Sequence, residues 1–298
     1  MTMNSVLLSI KIGLDPSIVK FAGLDITYHG LFTALGVVMG VAISAWLARK
    51  MNYPEEMIYN VALALVIGGI VGARGLYVIE HWSTFNHDLG KIFAINTGGI
   101  SIYGALIGGT IGAWSYAMIT RVPNIPRGAD IAGIGAIIGM AVGRIGDIIN
   151  GEHFAKTTSL PWGVVYTSIN SPSFGREAQH PAVAYELIGD LVIFFILLIV
   201  YFRVPRAGVT FFTYVLLYGV LRFAVSFLRL DNEVLLGLRT AQVIAIATIP
   251  AALVMIVYLL RVPPAAERRA RADRRRELRE ETPPSTPAPP TSEEPSAG

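Results

Sequence analysis

Apolar residues along this chain gather in long blocks that recur too often for a soluble core. Seven windows come close to the roughly 20 residues that cross a bilayer as a helix. They are Gly30–Ala48, Met57–Ile79, Ile102–Ile119, Gly128–Ile149, Ala182–Phe202, Gly208–Leu228 and Thr240–Leu260. The pattern predicts an all-α polytopic membrane protein with seven transmembrane helices. Residues 1–29 mix apolar and polar pieces and predict an N-terminal arm at the interface, ahead of a seven-helix membrane domain over 30–262. Within that domain, residues 151–180 are polar and rich in Ser, Thr, Pro and Gly, and predict a small external head between spans four and five. Loops of that length are uncommon without a purpose. From residue 263 the composition turns to ERRARADRRRELREE and then PPSTPAPPTSEEPSAG, which predicts a disordered C-terminal tail.

Composition sharpens this picture. The chain is 53% hydrophobic and 15% charged, with a mean hydropathy of +0.55. With no cysteine there is no disulfide framework, Cys nucleophile or Cys-bound metal. The five histidines lack HExxH-like spacing, so neither a metal nor an organic cofactor is expected. The N-terminus lacks the features of a cleaved signal peptide, and the first spans are expected to drive insertion. Lys and Arg nearly balance across the short loops. The tail breaks the tie, because eight arginines from Arg261 to Arg279 follow the last span. By the positive-inside bias this puts the C-terminus in the cytoplasm and, after seven spans, the N-terminus and head outside. Those arginines predict attraction to anionic membrane lipid, with no nucleic-acid partner.

Two glycine rows, Gly104/Gly108/Gly112 and Gly135/Gly139/Gly143, have the four-residue spacing that lets helix backbones approach closely. The fourth window ends in GRIGDIINGE, which sets Arg144, Asp147, Asn150 and Glu152 at the rim of the bilayer. Further charges interrupt apolar sequence at Arg74, at Glu186 and Asp190 one helical turn apart, and at Arg222. Ionisable groups at that depth usually line a cavity or a substrate path. Buried ion pairs that only fix helix register are the competing explanation, although apolar residues would hold a bundle together more cheaply. Arginine binds phosphate through a planar fork and keeps its charge when partly buried. Two arginines reaching one cavity from different helices would suit a phospholipid headgroup. His180 and Tyr103 face the same mouth, one as a helix-start residue and the other as an aromatic at the interface.

At this point a resemblance becomes specific. GRIGDIINGE resembles the prolipoprotein diacylglyceryl transferase signature, written GR-x-GN-x-x-N-x-E. HPAVAYEL is similar to that family's HP-x-x-x-YE segment, and YGVLRFAVSFLR to its YG-x-x-R-x-x-x-E-x-x-R segment. GGISIYGALIGG and GARGLYVI resemble its third and second spans, and the order agrees from Tyr28 to Gln242. The resemblance implies a transferase of the bacterial inner membrane that acts on the outer leaflet. It would move the diacylglyceryl group of phosphatidylglycerol to the lipobox cysteine of a prolipoprotein signal peptide. Arg144 and Arg222 would be its phosphate-handling pair, supported by Asp147, Asn150, Glu152, Tyr218 and Arg229.

Three positions depart from the family pattern. Asp147 stands for the signature asparagine, Tyr103 for a position often occupied by histidine, and Ser226 for an acid. The candidates for the base that ionises the thiol are then Glu152 and His180, ahead of Tyr103, since a phenol is a poor base at neutral pH. Asp147 is expected to pair with Arg144 and weaken its hold on phosphate, so Asp147→Asn should raise activity. Two other classes stay open: a relative that binds lipid or lipoprotein without catalysis, and a lipid or anion transporter. No inverted repeat between the halves supports the transporter.

Overall fold

The structure, a computed structural model, describes residues 9–21, 24–93 and 98–262. Residues Met1–Leu259 form one compact unit. The expected disordered tail, residues 263–298, lies outside the described residues. Among the described residues, seven helices are long and apolar enough to cross a membrane. They are α1 (Tyr28–Lys50), α2 (Glu55–Glu80), α3 (Ile102–Ile119), α4 (Ile125–Asn150), α5 (Ala182–Arg203), α6 (Val209–Ser226) and α7 (Thr240–Arg261). Their outward faces carry exposed Leu63, Val71, Ile199 and Val254, an apolar surface that suits lipid rather than water.

Local chemistry sets the helix ends. The Thr27 hydroxyl accepts from the Gly30 amide and starts α1. Asn124 caps α4, with Pro126 in its first turn, where a missing N–H costs nothing. Gly151 ends α4 at φ +73°, beside Tyr166 and Ser171, where a side chain would be strained. The start of α6 is capped from another helix: the fully buried Asp130 of α4 accepts from the amides of Gly208 and Phe211, both at 2.8 Å.

Close approach of backbones organises the bundle. α1 packs antiparallel on α4 through Gly36 and Gly40 against Gly139 and Gly135. A methyl group on Gly40 would sit 2.6 Å from the Gly135 carbonyl oxygen. α2 packs on α3 in the same way, Gly68 and Gly72 meeting Gly108 and Gly104. One glycine departs from its row: a methyl at Gly143 meets nothing within 4 Å. α5 lies against α4 and α6, and Ile131, Ile134, Ile137, Leu197 and Tyr201 fill the core they share.

Short strands gather at the end of the bundle where α1 begins and α4 ends. β1 (Ile10–Ile12) pairs in parallel with β4 (Val164–Tyr166), so the N-terminal arm adds a strand to the 151–180 segment. β2 (Ser17–Phe21) and β3 (Leu24–Thr27) form a hairpin that leads into α1. β5 (Glu233–Leu235) and β6 (Leu238–Arg239) form another between α6 and α7. The Tyr166 hydroxyl donates to the Ile148 carbonyl at 2.8 Å and ties the head to α4. Burial, with the nearby Asp147 charge, pushes that phenol up to about 12, so it stays a donor.

Gly40→Leu should lower stability by about 1–3 kcal/mol or more through overpacking against α4, read from denaturation in detergent. Gly143→Ala should leave it unchanged or raise it slightly, because the site has room and alanine favours helix. Equal losses at both positions would contradict this packing.

Candidate functional site

Helical spacing builds the site at the strand-bearing end of the bundle. Arg144 and Asp147 lie three residues apart on the last turns of α4, so both face one way. Glu186 and Asp190 do the same on the first turns of α5, and Arg222 lies one turn before the end of α6. These faces converge on the Glu186 carboxylate, which is fully buried. Its Oε2 lies 2.8 Å from Arg144 Nη1. Its Oε1 accepts from Arg222 and from Arg229 Nη1, the latter at 3.4 Å. Three guanidinium groups thus share one acid. Among the described residues, Arg144 donates a hydrogen bond only to Asp147 Oδ2, at 3.3 Å, and its Nε is buried with no hydrogen-bond partner. Both Asp190 oxygens are likewise buried without one, 3.9 Å from that Nε at the nearest.

A second layer sits above this cluster. Asp147 Oδ1 lies 2.6 Å from His29 Nδ1 at the start of α1, and its Oδ2 lies 3.5 Å from His153 Nε2. His153 Nδ1 accepts from Arg229 Nη2 at 3.0 Å, and Arg229 also grips Asp231 with two bonds of 2.8 and 3.1 Å. Burial raises the Asp231 carboxyl, but the hydrogen bonds and charge of Arg229 outweigh it and hold the group below the ordinary carboxylate range. Glu152 stands at the exposed edge, its Oε1 3.9 Å from His29 Nδ1 and from His153 Nε2. His29, Asp147 and Glu152 together offer three metal-ligating atoms within 4.8 Å of one another.

Of the residues marked in the sequence, Arg144, Asp147, Glu152, Arg222 and Arg229 meet in this network, and the expected Arg144–Asp147 pair forms. Asn150 closes α4, where its carbonyl accepts from the Ser171 hydroxyl at 3.1 Å. Tyr218, partly buried on α6, stacks on Tyr214 with ring centres 5.9 Å apart. Tyr103 and His180 stay outside the network. Tyr103 is exposed on α3 and makes no hydrogen bond among the described residues. The His180 ring lies 6.4 Å from that of Tyr185, and its Nδ1 is buried without a partner. Ser226, in place of an acid, is fully buried and donates to the Arg222 carbonyl at 2.6 Å. Asp231 supplies the carboxylate for Arg229 instead.

Arg74, marked in the sequence as a charge within an apolar span, is taken up by the backbone. Its guanidinium donates to the carbonyls of Lys91, Ile92, Gly98 and Gly99 at 2.6–2.8 Å and pins the connection between α2 and α3. Sequence reasoning missed His29, His153 and Asp231. The one available signal was position, since TYHG opens the first span and His153 adjoins Glu152.

A sequence model of the prolipoprotein diacylglyceryl transferase family matches residues 16–258. The chain belongs to that family. Among its relatives is a phosphatidylglycerol–prolipoprotein diacylglyceryl transferase of Nostoc sp., 35% identical over 252 residues, which cover 82% of this chain and 89% of the relative. The protein of that name from Clostridioides difficile is 33% identical over 237 residues, covering 80% and 92%. That from Gloeobacter violaceus is 34% identical over 246 residues, covering 78% and 88%. The matched residues include every member of the arginine cluster.

Removing Glu186 takes the shared counter-charge from one buried and two partly buried arginines. Glu186→Ala should therefore cost about 3–5 kcal/mol, measured by unfolding in detergent. A loss below about 1 kcal/mol would mean that the three arginines find other partners.

Proposed function

We propose that this chain transfers the sn-1,2-diacylglyceryl group of phosphatidylglycerol to the lipobox cysteine thiol of a prolipoprotein, releasing glycerol phosphate. Arg144 and Arg222 are its phosphate-handling pair. The observation that carries this reading is the meeting of these arginines, from two helices, on one buried carboxylate. Glu186 offsets the mutual repulsion of two cations that must sit close together to hold one phosphate. Each guanidinium keeps donors for a ligand, and the Arg144 Nε is already desolvated. A fork of that kind binds phosphate oxygens bidentately.

The reaction is substitution at the glycerol carbon that bears the phosphate. The thiolate sulfur forms a bond to that carbon, and the carbon–oxygen bond to phosphate breaks with its electron pair staying on the phosphate oxygen. Charge grows on the leaving phosphate, where prearranged donors in a site of low dielectric are most effective. Arg229, held by Asp231, braces the cluster from the side of the head, and Tyr218 and Asn150 are assigned to substrate support. No step is assigned to Tyr103 or His180.

The protein is a multi-pass membrane protein with seven apolar helices. We place it in the bacterial inner membrane with the N-terminus and head outside and the C-terminus in the cytoplasm, where the arginines of the tail meet anionic lipid. The lipobox cysteine then arrives at the head end, where the arginines lie. No nucleic acid enters this scheme.

Purified full-length protein in phosphatidylglycerol micelles with a lipobox peptide should give a diacylglyceryl adduct on cysteine by mass spectrometry. Arg144→Ala and Arg222→Ala should each reduce it by about 100-fold or more, the scale of losing one transition-state donor. Phosphatidylglycerol binding without an adduct, from folded wild-type protein and several peptides, would instead make the chain a lipid-binding relative.

A further inference from the structure

We propose that His29 is the general base that takes the proton from the substrate thiol, and that Asp147 orients it. The inference rests on the transferase reading above and names the residue that activates its nucleophile.

Proton positions follow from the hydrogen bonds around Asp147. Arg229 Nη2 can only donate, so His153 Nδ1 accepts its bond at 3.0 Å and the neutral His153 ring carries its proton on Nε2. That Nε2 faces Asp147 Oδ2 at 3.5 Å, alongside Arg144 Nη1 at 3.3 Å. The Arg144 hydrogen bond to Oδ2, with His153 Nε2 beside it, suits Asp147 as an anionic acceptor. Its other oxygen, Oδ1, lies 2.6 Å from His29 Nδ1, so His29 holds its proton on Nδ1 and presents a lone pair at Nε2. Among the described residues Nε2 has no hydrogen-bond partner, and the side chain is 44% exposed at the mouth of the site. A carboxylate that fixes the imidazole tautomer and stabilises the imidazolium is the working part of every Asp–His pair that activates a nucleophile.

The other groups at the mouth fit less well. Glu152 is exposed at the edge, its Oε1 3.9 Å from either histidine and without a partner that would orient it as Asp147 orients His29 among the described residues. The same residues could ligate a cation, but His29 Nδ1 and Asp147 Oδ1 already spend themselves on each other. The arrangement also suits the reaction. One carboxylate holds the proton acceptor on its Oδ1 and the phosphate-binding Arg144 on its Oδ2. The thiol proton passes to His29 Nε2, the sulfur bonds to the glycerol carbon, and the phosphate leaves with the electron pair of the broken carbon–oxygen bond. The His29 proton then returns to the released glycerol phosphate or to water. The inference reverses the expectation for Asp147→Asn, which should now lower activity.

A nucleophile that needs no base provides the test. Wild-type protein, His29→Asn and Asp147→Asn are each given a lipobox peptide with cysteine and its analogue with selenocysteine, whose selenol is already ionised at neutral pH. Asparagine at position 29 can still donate to Asp147 but cannot take a proton. His29→Asn should lose about 100-fold or more of thiol transfer, within the range of general-base catalysis, and keep selenol transfer within about threefold of wild type. Asp147→Asn should show the same selective loss to a smaller extent. Equal loss with both peptides would make His29 structural, and retained thiol transfer would make it dispensable; either overturns the proposal. Loss of wild-type activity on adding a metal chelator would make the cluster a cation site and overturn it too. Absence of any wild-type adduct with either peptide would sink the transferase reading itself, and this inference with it.

Discussion

The Glu186 carboxylate, fully buried at the head end of the bundle, is shared by three guanidinium groups, and the rest of the site is arranged around that contact. An unpaired charge in such a place costs several kcal/mol, so each arginine must reach the acid or leave the interior. The requirement fixes the registers of α4, α5 and α6 against one another, since Arg144, Glu186 and Arg222 each come from a different helix. It also fixes the turn after α6, because Arg229 must return to the same oxygen as Arg222. Apolar side chains would hold the helices together at less cost, so the ions are better understood as groups kept for use.

Saturation of hydrogen bonds separates structural charges from working ones. Arg74 donates to four backbone carbonyls around one connection. Asp130 has each oxygen on a backbone amide and caps α6. Among the described residues, Arg144 makes one hydrogen bond and leaves a buried Nε without an acceptor. The first two charges are consumed by the fold, while the third retains capacity for a ligand. The glycine seams serve the same end. By letting α1 lie against α4 at backbone distance, Gly36, Gly40, Gly135 and Gly139 bring His29 to Asp147, 118 residues away in the chain.

The spans were legible because each obeys one local rule, an apolar run near the thickness of a bilayer. Ile102–Ile119 has the bounds that its hydrophobicity predicts. The predicted sixth span, Gly208–Leu228, ends two residues early at Ser226, where the chain turns to bring Arg229 inward. Glycines of the third and fourth spans were correctly marked for packing, but spacing alone did not reveal that Gly143 borders open space. At the site, Arg144 and Arg222 stood out because arginine is costly inside a membrane. His29, His153 and Asp231 did not, because they lie at helix ends and loops where polar residues are ordinary. Their chemistry comes from long-range partners. The partners of Arg74 are hidden in the same way, because backbone carbonyls leave no mark in side-chain composition.

The central claim is that two arginine forks, held by one glutamate, bind the phosphate that leaves. Diacylglyceryl transfer by Arg144→Lys tests it most directly, because lysine keeps the positive charge and loses the planar bidentate fork. With folding checked by unfolding temperature, transfer from phosphatidylglycerol to a lipobox peptide should fall by about tenfold or more, the equivalent of about 1.4 kcal/mol of transition-state stabilisation. Transfer at the wild-type rate would show that only charge matters at this position and would contradict the account.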